Sequence, residues 1–123
     1  MPLGAPSYAQ EQQWNLPAPP LFGTKMRTAL LMLVAVLEET YPAELARYLG
    51  STIANVQRTL DKIEEEGLVA TRPLVVRTVT LNPLYPAAKE LRALLLRLAE
   101  GYPQYKHLKE SRRARPRRRN KRL

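Results

Sequence analysis

Apolar residues recur at the spacing of an α-helix in four separate stretches of the chain. The repeat predicts helices over residues 25–39, 42–49, 52–66 and 87–100. In three of them the apolar residues form one stripe, and polar residues fill the remaining positions. The first helix is different, because apolar residues occupy nearly all of its sides. A helix of this kind must be covered by other parts of the structure on more than one side.

The second and third predicted helices are separated by a short turn with clear end signals. Pro42 suits the first turn of a helix, where its missing N–H costs nothing. Gly50 supplies the positive φ that ends this helix, and Thr52 is a suitable N-cap for the next one. The inward stripe of the third helix comprises Val56, Leu60 and Ile63. Two short helices around a tight glycine turn predict a helix–turn–helix, a motif that reads DNA.

Two β-type segments follow the third helix. Residues 68–71 and 75–81 contain many β-branched side chains, and Arg72-Pro73-Leu74 between them predicts a turn. Together they predict a hairpin of two strands, which is the wing of a winged helix–turn–helix. The expected fold class is therefore mainly α with a small two-stranded β wing (α+β).

Composition divides the chain into three parts. Residues 1–20 are rich in proline and show no periodicity, so we expect a disordered arm, in which Trp14 and Leu16 are candidates for docking on the domain or on a second subunit. Residues 21–100 form the predicted winged helix domain. Residues 101–123 are expected to be a disordered basic tail, because glycine and proline residues stop the last helix.

The net charge of +9 is placed unevenly along the chain. Residues 24–100 carry ten Lys and Arg against nine Asp and Glu, so the predicted domain is nearly neutral. Residues 101–123 carry ten Lys and Arg against one glutamate. The basic character therefore belongs to the tail and does not indicate a basic face on the domain.

The residue inventory excludes several classes of function. The chain has no cysteine and one histidine, His107, which removes thiolate chemistry and multi-histidine metal sites within one chain. Its longest apolar run, residues 29–37, is far shorter than the roughly 20 residues that span a bilayer. No catalytic set of side chains is visible. We therefore expect a protein that is not an enzyme, uses no cofactor or metal and does not enter a membrane.

Several segments together resemble the winged helix–turn–helix transcriptional regulators, most closely the ArsR-like group. They are Leu21-Phe22-Gly23 with the following helix, residues 44–50, residues 56–68, and Leu81-Asn82-Pro83 at the end of the wing. The resemblance covers residues 21–100 and implies a homodimeric DNA-binding regulator in a prokaryotic cytoplasm, with helix 52–66 in the major groove of double-stranded DNA. The metal-sensing members carry a cysteine-bearing motif that is absent here, so metal sensing of that type is not expected.

Side chains on the outward side of the third helix carry the chemistry for reading bases. The amides of Asn55 and Gln57 suit adenine, and the guanidinium of Arg58 suits guanine. Hydroxyl and cationic side chains nearby suit phosphates. The predicted DNA contacts are Ser51, Thr52, Asn55, Gln57, Arg58, Lys62, Arg72 and Arg77.

Acidic residues near the end of the same helix oppose DNA binding. Residues 64–66 are three glutamates, which repel phosphates and interact unfavourably with the negative end of the helix dipole. They are tolerable if this end of the helix points away from DNA. Asp61 lies nearer to the predicted contacts, and a surface pair with Lys62 or Arg58 is the expected compensation.

A subunit interface would explain why the first helix is apolar nearly all round, since a domain of this size is not expected to cover it alone. The first and last helices are the predicted dimer contacts. The residues proposed for this interface are Leu30, Leu31, Leu91, Leu94, Leu95 and Leu98.

The arginine-rich end of the chain is expected to act as a non-specific phosphate clamp. The residues concerned are Arg112, Arg113, Arg115, Arg117, Arg118, Arg119, Lys121 and Arg122. The same composition fits a nuclear-import signal or an RNA-binding arm. Two other classes of function therefore stay open beside DNA reading. One is a protein-interaction module on the same fold, and the other is RNA or ribonucleoprotein binding through the tail.

Deletion of residues 111–123 tests the tail. The fold and the thermal midpoint should change little, because this polar stretch has nothing to bury. Affinity for duplex DNA should fall, and the slope of log K against log salt should become shallower by roughly 0.9 for each phosphate that the protein no longer neutralises. Discrimination between DNA sequences should survive, since phosphate contacts carry no base information. An unchanged salt slope would show that the tail does not touch the nucleic acid.

Overall fold

Helix α1, Lys25–Leu37, is the element on which most of the others pack. The computed structural model describes residues 16–73 and 77–114. After α1 the chain forms α2 (Pro42–Leu49), α3 (Ile53–Glu65), β1 (Val69–Pro73), β2 (Arg77–Leu81), α4 (Ala88–Glu100) and α5 (Pro103–Ala114). The two strands form one antiparallel sheet. This is a winged helix–turn–helix, mainly α with a two-stranded sheet, as the sequence predicts.

Helix α1 is buried along nearly its whole length. Thr24 caps it by accepting a hydrogen bond from the Arg27 N–H at 3.0 Å. Every residue from Thr28 to Leu37 is buried, because α2, α3, α4, α5 and β2 all pack on this helix. The helix ends before its expected end at residue 39, since Glu38 adopts a φ of 72° and donates its N–H to the Val34 carbonyl.

The helix–turn–helix agrees with its sequence signals. Gly50 follows α2 in the left-handed conformation, with φ 66° and ψ 37°. The Thr52 hydroxyl caps α3 by accepting from the Asn55 N–H at 3.1 Å. The predicted stripe of Val56, Leu60 and Ile63 is buried against the rest of the domain.

The wing is shifted slightly from its predicted position. Strand β1 runs to Pro73, so the expected turn at residues 72–74 begins later than predicted, and residues 74–76 lie outside the described part. Val69 pairs with Leu81 and Pro73 pairs with Arg77. An additional bridge, not expected from sequence, joins Thr40 to Val79 through two backbone hydrogen bonds of 3.0 and 2.8 Å. The bridge attaches the hairpin to the connection between α1 and α2.

The C-terminal region departs from the expected tail, because residues 103–114 form helix α5. The prediction of a disordered tail from residue 101 is wrong over this stretch. The preceding helix ends at Glu100 as expected, with Gly101 at its C-cap. Pro103 then begins the new helix, a position where its missing N–H costs nothing. The side chain of Tyr105 is fully buried and fastens the helix to the core. Residues 115–123, with most of the predicted clamp, lie outside the described part.

The last residues of the predicted N-terminal arm also belong to the core. Leu16 and Ala18 are buried, and the carbonyl of Pro17 accepts a hydrogen bond of 2.9 Å from the Tyr105 hydroxyl. Docking on the domain, one of the two possibilities open for Leu16, is what the structure shows. Trp14 and the rest of residues 1–15 lie outside the described part.

Because these additional segments cover the core, most residues expected at a subunit interface are buried within one chain. Four of the six proposed interface residues are buried within a single chain: Leu30, Leu31, Leu91 and Leu95. Helix α5 and the segment from residue 16 supply cover that the sequence pattern assigns to a second subunit. Of the proposed set, only Leu94, which is 43% exposed, and the half-buried Leu98 keep accessible surface.

The hydrogen bond from the Tyr105 hydroxyl to the Pro17 carbonyl should contribute to the stability of the fold. Tyr105→Phe keeps the buried ring but leaves the Pro17 carbonyl without its donor, so the free energy of unfolding should fall by about 1–2 kcal/mol. Urea denaturation followed by circular dichroism measures this change. Tyr102→Phe is the matched control, because Tyr102 is less buried and meets Tyr105 edge-on with ring centroids 6.2 Å apart.

The burial of the same hydroxyl makes stability depend on pH. Burial, and then the neighbouring Tyr102, raises the pKa of the Tyr105 phenol well above its ordinary value of 10.0. The folded state favours the neutral hydroxyl, so this contribution is complete below pH 10.0 and is lost as the pH rises beyond it. The wild type should therefore lose stability more steeply above this pH than Tyr105→Phe. Equal curves for the two proteins would contradict the burial of this hydroxyl.

Candidate nucleic-acid interface

The first two turns of α3 present a polar surface on the side opposite the core. Asn55, Gln57 and Arg58 are all exposed, whereas Val56 and Leu60 between and beyond them are buried. The separation follows from the helical period, which turns residues 55 and 58 away from residues 56 and 60. The surface begins five residues after the glycine turn at Gly50.

Hydrogen bonds connect several of the predicted DNA contacts with one another. The Asn55 side-chain amide donates to the Ser51 hydroxyl at 3.4 Å, and its carbonyl oxygen accepts from the Arg58 guanidinium at 3.1 Å. The Thr52 hydroxyl is already engaged, because it accepts the capping hydrogen bond from the Asn55 N–H. Asn55 therefore lies between the helix start and Arg58 and limits where the guanidinium points. Gln57 makes no side-chain hydrogen bond to any described residue and stays available.

The two arginines of the wing differ in their surroundings. Arg72 is exposed, and its position in β1 alternates with the inward residues Val69 and Thr71. Arg77 stands on the same face as the fully buried Val79, two residues along β2. The geometry therefore brings Arg72 to the outer face of the hairpin and Arg77 to the face that meets α3.

Ion pairs engage most of the acidic residues that oppose DNA binding. Arg77 bonds Asp61 and Glu64, each at 3.2 Å. Glu66 pairs with Arg27, at the start of α1. The compensation expected for Asp61 from Lys62 or Arg58 is therefore wrong, because Arg77 supplies it. Lys62 is exposed and makes no ion pair within the described residues.

Two contributors to this surface were missed by sequence reasoning. Thr71 donates its hydroxyl to Glu64 at 2.9 Å, and Arg27 reaches Glu66 across the domain. No local signal marks Arg27, because its partner lies far away in the chain. The sequence indicates on which face of the strand Arg77 lies, since Arg77 alternates in phase with Val79 and Leu81.

Other kinds of site are not found in the part of the chain that the structure describes. There, no three His, Asp or Glu side chains gather in a way that would hold a metal ion. None of the helices in residues 16–73 and 77–114 combines the length and the apolar character needed to cross a membrane.

Comparisons with known proteins identify the helix–turn–helix segment and the fold. Residues 43–69, which run from the second residue of α2 through the turn and α3, match the family model of bacterial regulatory proteins, crp family. The family is matched over this segment alone, so the finer likeness to the ArsR-like group stays a prediction. No curated protein sequence matches the chain.

Solved structures share the fold over most of the chain. A mutant of ZitR from Lactococcus lactis is 22% identical, with a TM-score of 0.51 over 86% of this chain and 76% of that one. The same mutant in its apo form is 23% identical, with a TM-score of 0.50 over 89% of this chain and 76% of that one. At this identity the likeness establishes the fold. Together with the match of residues 43–69 to a family of bacterial regulatory proteins, it supports a DNA-binding winged helix–turn–helix regulator.

Proposed function

We propose that the protein is a transcription regulator that reads double-stranded DNA by placing α3 in the major groove. The observation that carries the proposal is the exposed group of Asn55, Gln57 and Arg58, which directly follows the glycine turn. In helix–turn–helix proteins the N-terminal residues of the second helix contact base edges. An exposed amide and a guanidinium at these positions have the donors and acceptors that distinguish base pairs.

Each polar residue of α3 takes a different part in this reading. Arg58 contacts guanine, since its planar fork matches the two acceptors of that base. Asn55 orients the Arg58 guanidinium through their 3.1 Å hydrogen bond, and its side-chain NH2, which donates one bond to Ser51, keeps a second N–H for a base. Gln57 reads a neighbouring base pair, and adenine is the base that its amide matches best.

Cationic and hydroxyl groups around α3 fix the position of the protein on the DNA backbone. Ser51 and Thr52 lie at the helix start, where backbone N–H groups favour a phosphate. Lys62 and Arg72 are exposed on the helix and on the outer face of the wing. Contacts of this kind set register and orientation and carry no sequence information.

A homodimer supplies affinity that a single domain lacks. The domain is nearly neutral, and binding to DNA depends strongly on neutralised phosphates. Two copies place two recognition helices on half-sites about one turn apart, roughly 34 Å. Leu94 and Leu98, which keep accessible surface on α4, are the contacts we assign to this dimer. Such a regulator would act in a prokaryotic cytoplasm, where it meets the chromosome.

The concentration of basic residues in the C-terminal part favours a second candidate function. Residues 101–123 hold ten Lys and Arg against one glutamate, whereas the rest of the chain is balanced. This distribution suits an RNA or protein partner that is bound through the basic end, with the winged helix as its support. The tail deletion described above separates this function from a role in DNA binding.

Arg58→Ala tests base reading. The variant should lose about 1–3 kcal/mol of binding free energy on a duplex that the wild type selects from a random pool, because the guanine contact is removed. Fluorescence anisotropy on the selected duplex, and on an unselected duplex of the same length, measures both affinity and preference. Lys62→Ala is the control, since removal of a phosphate contact should weaken both duplexes equally. If Arg58→Ala lost the same binding free energy on both duplexes, Arg58 would be a phosphate contact only.

Leu94→Glu tests the dimer. A charge in the proposed interface should shift light scattering at micromolar concentration from twice the mass of one chain to the mass of one chain, because a buried unpaired carboxylate is costly. Leu84→Glu is the matched control, as Leu84 is 86% exposed and lies outside α4. A wild type that scatters as a single chain would disprove the assembly.

A further inference from the structure

The second half of the recognition helix carries acidic residues that would repel DNA phosphates, and cationic side chains of the same chain lie beside them. Asp61 and residues 64–66 place four carboxylates in the last turns of α3 and at its C-cap. A carboxylate within a Debye length of about 8–10 Å of a phosphate repels it. A helix that carries this charge toward DNA therefore needs cations of its own.

Arg77 supplies such a cation from the neighbouring strand. One of its terminal nitrogens lies 3.2 Å from an oxygen of Asp61 and 3.2 Å from an oxygen of Glu64. Its side chain is 26% exposed, compared with 69% for Asp61. The guanidinium therefore lies between the two carboxylates and is more enclosed than Asp61.

The backbone register explains why Arg77 points toward α3. It is paired with Pro73 and lies two residues from Val79, whose side chain is fully buried. Residues two apart in a strand share a face, so Arg77 emerges at the rim of the core side of the hairpin. Arg72 occupies the opposite face and is exposed.

Glu64 connects the recognition helix to both strands of the wing. One of its carboxylate oxygens accepts from Arg77, and the other accepts from the Thr71 hydroxyl at 2.9 Å. Thr71 belongs to β1 and Arg77 to β2. One carboxylate thus fixes the hairpin at two points against α3.

We infer that Arg77 is a positioning residue and an internal counter-ion of the recognition helix, and that it does not contact phosphate. It cancels the charge of Asp61 and Glu64 and holds the wing so that Arg72 faces the DNA. The inference rests on the proposed function. Surface ion pairs contribute little to folding stability, so the effect of Arg77 should appear in DNA affinity and much less in unfolding.

A mutant cycle in the full chain tests this role. The four proteins are the wild type, Arg77→Ala, the Asp61→Asn and Glu64→Gln double variant, and the triple variant. Their affinities are measured by fluorescence anisotropy, over a series of salt concentrations, on a duplex that the wild type selects from a random pool and on an unselected duplex. Arg77→Ala should weaken binding about tenfold when the acids are present, because two carboxylates are uncovered. It should weaken binding less than about twofold when the acids are neutral.

Salt dependence separates a counter-ion from a phosphate contact. Arg77→Ala should make the slope of log K against log salt shallower only when the acids are present, because the repulsion from the uncovered carboxylates is screened as salt rises. In the background with neutral acids it should leave the slope unchanged, since the number of neutralised phosphates stays the same. Arg72→Ala is the matched control from the same hairpin. It should reduce the slope by roughly 0.9, and its loss of affinity should be the same with and without the acids. A shallower slope and equal losses for Arg77→Ala in both backgrounds would overturn the inference.

Arg77→Lys keeps the test valid if the alanine variant disturbs the fold, which circular dichroism and the thermal midpoint report. Lysine retains the charge, so affinity should stay within about threefold of the wild type. A lysine variant that is folded but as weak as Arg77→Ala would overturn the counter-ion role. If the wild type binds neither duplex, the proposed function is overturned as well. If the wild type binds and the losses from Arg77→Ala and from neutralising the acids simply add, this inference alone is overturned.

Discussion

The burial of α1 is the constraint on which the rest of the structure depends. No residue from Ala29 to Leu37 can face water without exposing apolar surface, so the domain has to surround this helix. The helix–turn–helix packs against it, β2 and α4 add further cover, and α5 completes the enclosure. The short segment around Leu16 is held in place by Tyr105 and joins the same core. Helix α3 is therefore presented by a core in which elements from both ends of the described chain take part.

The helix–turn–helix could be predicted from sequence because its signals are local. The glycine at residue 50, the cap at Thr52 and the stripe ending at Ile63 each act within a few neighbouring residues. Short-range rules of this kind do not depend on the rest of the fold. The exposed face of α3 follows from the buried stripe alone. Asn55, Gln57 and Arg58 can therefore be identified as exposed without knowledge of the packing.

The C-terminal helix and the ion pairs of α3 depend on contacts between distant parts of the chain. Polar residues dominate α5, and Tyr105, with the partly buried Leu108, attaches it to the core. The extra cover that it provides also removes the argument for a large subunit interface. The bond between Arg77 and Glu64 joins a strand to a helix, so it appears only when the hairpin is placed. The alternation of β2 shows on which face Arg77 lies, although it does not identify the partner.

The bridge between Thr40 and Val79 has a mechanical consequence if the protein reads DNA as proposed. The hairpin is attached to the loop after α1 by two backbone hydrogen bonds and to α3 by the carboxylate of Glu64. Because β2 is held at both places, we expect it to move together with α3. A rigid reader leaves the deformation energy to the DNA, and that energy depends on the stiffness and groove width of each sequence. Base pairs that no side chain touches then influence which sites are occupied.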